Sequence, residues 1–224
     1  MGNEQIKAFG KSAAIIIWFH LASICCSTIA LFISGDIEQF TLQHSNFLNM
    51  ICYGLIFIGV YLVDQHKKQL WQSLRPSKGW EGFKETILYI EMGIGAYIIG
   101  TTITWFLIPL FPDYVEITDG FNQYEPILRF ISIVILPPLV EEYLFRYRIQ
   151  GFLKEGFGTT LAIVGQALLF GILHHYIVQK IYAIALGILF GWIREKKGIR
   201  ATFWMHITVN GIGCLMGCLF YLSH

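Results

Sequence analysis

Seven apolar stretches, at about residues 12 to 34, 46 to 64, 86 to 111, 126 to 146, 159 to 178, 181 to 194 and 201 to 222, leave this chain little choice of solvent. About 20 apolar residues cover the hydrocarbon of a bilayer, and all but the fourteen-residue sixth stretch come close to or exceed that length. Inside hydrocarbon every backbone N–H and C=O must find its partner within the protein, which for segments of this length selects helices. The expected fold is an all-α, polytopic transmembrane helix bundle of about seven spans, with eight as the upper count. Composition agrees, at 55% hydrophobic and 14% charged residues with a mean hydropathy of +0.57. A net charge of +1 and the lack of a long basic tract give no electrostatic reason to propose nucleic acid as a partner. The lipid bilayer is the expected partner, and the localisation is multi-pass integral membrane, in the cell membrane for a bacterial protein.

The first stretch is too long for a signal-peptide core and has no small-residue cleavage site close behind it, so it is expected to stay as an anchor. Charge alternates between the connections. Lys67, Lys68, Arg75, Lys78 and Lys84 cluster after the second stretch, and Arg194, Lys196, Lys197 and Arg200 after the sixth. Asp36 and Glu38, then Asp113, Glu116, Asp119 and Glu125, occupy the alternate connections. With the N-terminus in the cytosol, 14 of the 16 Lys and Arg fall on the cytosolic side, Arg129 and Lys180 being the exceptions. Residues 1–224 are read as one membrane domain, with spans lacking a diagnostic motif over 1–125 and the chemistry-bearing core over 126–222.

Cys25, Cys26, Cys52, Cys214 and Cys218 all fall in apolar runs and read as small hydrophobes without a disulfide framework. Ala183, Gly187 and Gly191 recur every four residues and predict a smooth stripe for close helix packing, a role also expected of Gly93, Gly95, Gly100, Gly213 and Gly217.

The fourth stretch ends in "LPPLVEEYLFRYR". Pro137 and Pro138 lack an amide hydrogen, so the helix is expected to kink or restart there and to free carbonyls near Ile133 and Val134. Glu142 and Arg146 stand four residues apart in the orientation that favours a helical ion pair. Glu141, about 100° round the helix, has Phe145 at its own i+4 position. Glu142 is therefore the expected structural acid and Glu141 the available one. The fifth stretch contributes "FGILHH" with His174 and His175, and the last contributes "WMHITVN" with His206 and Asn210 at i and i+4. Each histidine alone is more simply a packing residue. Ionisable groups in three separate apolar spans point instead to a functional site.

Two chemistries fit these residue types. Glu141 could deprotonate a water that attacks a peptide carbonyl, with a histidine and Asn210 donating hydrogen bonds to the oxyanion. Alternatively, Glu and His side chains could hold zinc or another divalent metal that activates the water. No HExxH or G-x-S-x-G motif is present to favour a zincin or a serine hydrolase.

"EEYLFR", "FGILH" and "HITVN", in order, resemble the EExxxR, FxxxH and HxxxN motifs of the CAAX-protease and bacteriocin-processing family, the Abi membrane proteases. The resemblance spans roughly residues 137 to 210. It implies an intramembrane endopeptidase that hydrolyses a membrane-associated peptide or protein, with Glu141 as base and Glu142 with Arg146 in support. It further implies that His174 and His206 are catalytic, or metal ligands together with Glu141, and that Asn210 is an oxyanion donor. Tyr147 departs from the family's usual glycine, and His175 matches no motif position. The rival class is a non-catalytic immunity or scaffold protein, or a small transporter, using the same polar cluster. His174, fifteen residues into its stretch, would lie about 22 Å along a straight helix, which together with the short sixth stretch suggests a site cavity opening toward the cytosol.

Overall fold

The computed structural model describes residues 2–34, 37–65, 67–114 and 126–222. Asp36, Glu116, Asp119 and Glu125 of the acidic connections lie outside these residues. The described residues form eight helices and no strand: α1 (Asn3–Ser34), α2 (Ile37–Val63), α3 (Lys67–Leu74), α4 (Gly79–Leu107), α5 (residues 126–157), α6 (Thr159–Ile172), α7 (Ile177–Lys197) and α8 (Ile199–Leu222). The protein is an all-α transmembrane bundle.

Five helices are long and apolar enough to cross a membrane, namely α1, α2, α4, α7 and α8. The other two apolar stretches of the sequence became α5 and α6. In α5 four charges within eight residues, Glu141, Glu142, Arg146 and Arg148, break up the apolar run, and α6 has only 14 residues. Both are packed among their neighbours, with α5 against α1, α2, α6 and α8, and α6 between α5 and α7. Each buries one face against these neighbours and leaves apolar residues such as Ile127, Phe130, Leu161 and Ile172 exposed.

The expected lengths of the fifth and sixth spans are corrected. The fifth ends at Ile172 and is the short one, while α7 runs for 21 residues and includes Gln179 and Lys180. Two polar residues early in an otherwise apolar helix do not stop it. The break falls over residues 173–176, at His174 and His175.

Close packing follows the small residues only in part. A Cβ on Gly187 would lie 3.0 Å from the Ala167 Cα, and one on Gly93 would lie 3.0 Å from the Met205 carbonyl, so α7 meets α6 and α4 meets α8 at near backbone contact. Gly95 and Gly213 face open space and serve no such contact. At the α6–α7 seam the Gln166 Nε2 donates to the Gly187 carbonyl at 2.7 Å, and from α5 the Gln150 Nε2 donates to the Gly191 carbonyl at 3.0 Å. Both glutamines are fully buried, and the bare glycine backbone is what lets their amides reach it.

Candidate functional site

The prolines of α5 do not stop the helix. It changes register instead, running as α-helix over Pro126–Arg129, as π-helix over Phe130–Ile135, as α-helix over Leu136–Glu141 and as π-helix again over Glu142–Ile149. The Leu136 N–H bonds the Ile131 carbonyl, five residues back. In that register Pro137 and Pro138 would have served the Ser132 and Ile133 carbonyls, and neither has an N–H to give. Two asparagines from other helices supply the missing donors. The Asn49 Nδ2 of α2 reaches the Ser132 carbonyl at 3.2 Å, and the Asn210 Nδ2 of α8 reaches the Ile133 carbonyl at 2.9 Å. The freed carbonyls expected near Ile133 thus include those of Ile133 itself and its neighbour Ser132.

Below this junction the two glutamates part company. Glu142 points into the protein and is 1% exposed. Its Oε1 lies 3.4 Å from the Arg146 Nη1 and 2.8 Å from the His206 Nδ1. Arg146 is itself fully buried, its guanidinium 4.3 Å from the Phe170 ring centroid and 5.4 Å from that of Phe190. Two aromatic faces thus share the charge with Glu142. Glu141 lines a cavity of about 720 Å3 together with His174, His206 and Asn210. Its Oε1 accepts a 2.5 Å hydrogen bond from the Tyr53 hydroxyl, and its Oε2 lies 3.6 Å from the His206 Nε2.

Hydrogen-bond partners fix the histidine tautomers. The His174 Nδ1 is 3.0 Å from the Phe170 carbonyl, which can only accept, so Nδ1 carries the hydrogen. His206 likewise donates from Nδ1 to the Glu142 carboxylate. With Nδ1 engaged in each ring, Nε2 is the nitrogen left to meet water or substrate. Asn210 spends one amide hydrogen on Ile133 and keeps its second.

In the alternative chemistry a divalent metal such as zinc would sit on Glu141, His174 and His206. Both imidazoles have the tautomer that a metal ligand needs, with Nδ1 held by a carbonyl or a carboxylate. Yet no three His, Cys, Asp or Glu side chains among the described residues stand close enough together to hold an ion. Among the described residues the three donors are not gathered into a ligand set.

His175 is exposed and does not line the cavity. Tyr147, at the usual glycine position, stacks on Tyr143 at 6.2 Å between ring centroids. It lines a second and larger cavity, of about 840 Å3, at the other end of α5 with Lys11, Asp64, Arg148 and Arg194. None of the candidate site residues reaches that space.

The site cavity does not lie on the basic side as expected. Its walls come from α4 beyond Tyr97, from α5 between Arg129 and Glu141, and from Tyr114. These belong to the half of the bundle opposite the Lys67–Lys78 and Lys196–Arg200 connections, because the π segment and the short α6 place the reactive groups at that end.

Sequence reasoning missed Tyr53 and Asn49. Their signal was available: Asn46, Asn49 and Tyr53 are polar positions three and four residues apart in an otherwise apolar run, and so share one helix face.

Residues 123–212 match the family described as Rce1-like, type II CAAX prenyl endopeptidase. No curated protein and no solved structure matches the chain. The matched segment holds Glu141, Glu142, Arg146, His174, His206 and Asn210, and over it the chain is similar to the type II CAAX prenyl endopeptidases.

Proposed function

We propose that this protein cleaves a peptide bond near the membrane-anchored end of a lipidated or membrane-embedded peptide, with water activated by Glu141. The observation that carries this reading is the division of labour on α5: Glu141 faces the cavity, whereas Glu142 is consumed by Arg146 and His206. In the first step the Glu141 Oε2 takes one proton from water as its oxygen forms a bond to the scissile carbonyl carbon. The His206 Nε2, held by Glu142, accepts the water's second O–H and so aims the attack. The second amide hydrogen of Asn210 donates to the oxyanion that forms on the carbonyl oxygen. When the tetrahedral intermediate collapses, the C–N bond breaks and protonated Glu141 returns its proton to the leaving amine. The His174 Nε2 faces the same cavity and helps hold the substrate backbone by accepting an amide N–H.

The substrate class takes its support from the family description, a prenyl endopeptidase, and from the apolar and aromatic residues lining the cavity, among them Phe170, Leu186, Phe190 and Val209. A prenylated CAAX-type peptide is therefore the first substrate to try, with a bacterial membrane peptide second. Purified protein in detergent should cleave the prenylated peptide. Glu141→Gln should lower kcat about 100- to 10,000-fold. A wild-type rate in that variant would show that a group other than Glu141 activates the water, whereas no cleavage by the wild-type protein would leave only a binding or scaffold role. Loss of activity on chelation, with recovery on adding zinc, would replace Glu141 alone with a metal as the activator of water.

A further inference from the structure

We infer that Tyr53, in α2 and outside the family-matched segment, is a positioning residue for the general base. The inference rests on the proposed role of Glu141. The Tyr53 hydroxyl lines the site cavity and donates to the Glu141 Oε1 at 2.5 Å. A phenol bound to one carboxylate oxygen fixes the plane of the group and leaves the other oxygen, Oε2, directed at His206 and the cavity. Without it Glu141 is free to rotate about its last torsion and swap its two oxygens.

The tyrosine is itself held in place. Its ring packs edge-on against Phe19 of α1 at 6.3 Å and 89°. One turn earlier on the same face, Asn49 bonds the Ser132 carbonyl of α5. Further along, the bond between the helices runs the other way, with the Tyr143 hydroxyl of α5 donating to the Asp64 carboxylate at the end of α2 at 2.8 Å. These two tyrosine–carboxylate bonds join the same pair of helices, but only one of them touches the cavity. That pairing separates positioning of Glu141 from mere bracing of α2 against α5.

The test compares Tyr53→Phe with Tyr143→Phe in purified protein, reading kcat and KM separately on the prenylated peptide. Tyr53→Phe should lower kcat about ten- to hundredfold with KM within about twofold, and Tyr143→Phe should leave kcat within about twofold of wild type. A wild-type kcat in Tyr53→Phe, or equal losses in the two variants, overturns the inference while leaving Glu141 as base. A wild-type rate in Glu141→Gln overturns both together. Thermal unfolding in detergent, run on each variant, keeps a folding defect from being read as a catalytic one. If Tyr53→Phe unfolds, Tyr53→His, which keeps a ring and a hydrogen-bond donor, should retain more kcat than Tyr53→Leu; equal rates would count against the inference.

Discussion

Arg146 is fully buried, with Glu142 as its ion-pair partner and the Phe170 and Phe190 rings against its guanidinium. Removing one member of such a pair leaves the other charged and unsolvated, which typically costs about 3–5 kcal/mol. Arg146→Ala should therefore lower stability by about that amount, read as a shift in denaturant or thermal unfolding in detergent. Arg146→Lys should recover only part of it, because a compact ammonium cannot present a flat face to both rings. At this scale the sequence is informative: four-residue spacing separates Glu142, the acid paired with Arg146, from Glu141. Tyr53 was harder to see, since a tyrosine in an apolar run is most simply a packing residue and its partner lies 88 positions away.

At the scale of the element, α5 shows how a helix can carry two consecutive prolines without ending. The prolines delete two hydrogen bonds, a π register decides which carbonyls lose them, and Asn49 and Asn210 from two other helices replace the donors. Asn49→Ala should cost about 1–3 kcal/mol, the usual penalty for a buried acceptor left unmet. Pro137→Ala restores an N–H for Ser132, so in the double variant the loss of Asn49 should cost less than it does alone. A double-mutant cycle should return a coupling energy above about 0.5 kcal/mol, and simple additivity would remove Asn49 from this role. The break itself was legible in "LPPL", but the register change was not. A π segment depends on what the neighbouring helices offer to the freed carbonyls, and no pattern within one helix encodes that.

At the scale of the whole molecule, the two ends of the bundle differ in charge and in chemistry. The site cavity lies in the half away from the Lys/Arg-rich connections. Charge bias predicts that those connections face the cytosol, which would put the site in the opposite half of the membrane. In a cysteine-free background, a membrane-impermeant maleimide applied to intact cells should label Asp113→Cys and spare Ser77→Cys; the reverse pattern would invert this orientation. The amino-acid order alone was enough for helices, membrane and the matched motifs, whereas of the seven expected spans five are helices long and apolar enough to cross a membrane. Each follows from local properties, namely hydropathy over about 20 residues and side-chain spacing along one helix. Which helix is short, which carbonyl receives Asn210, which end holds the cavity and which tyrosine meets Glu141 were settled only by folding. These depend on contacts between residues tens of positions apart, and it is packing among all eight helices that chooses them.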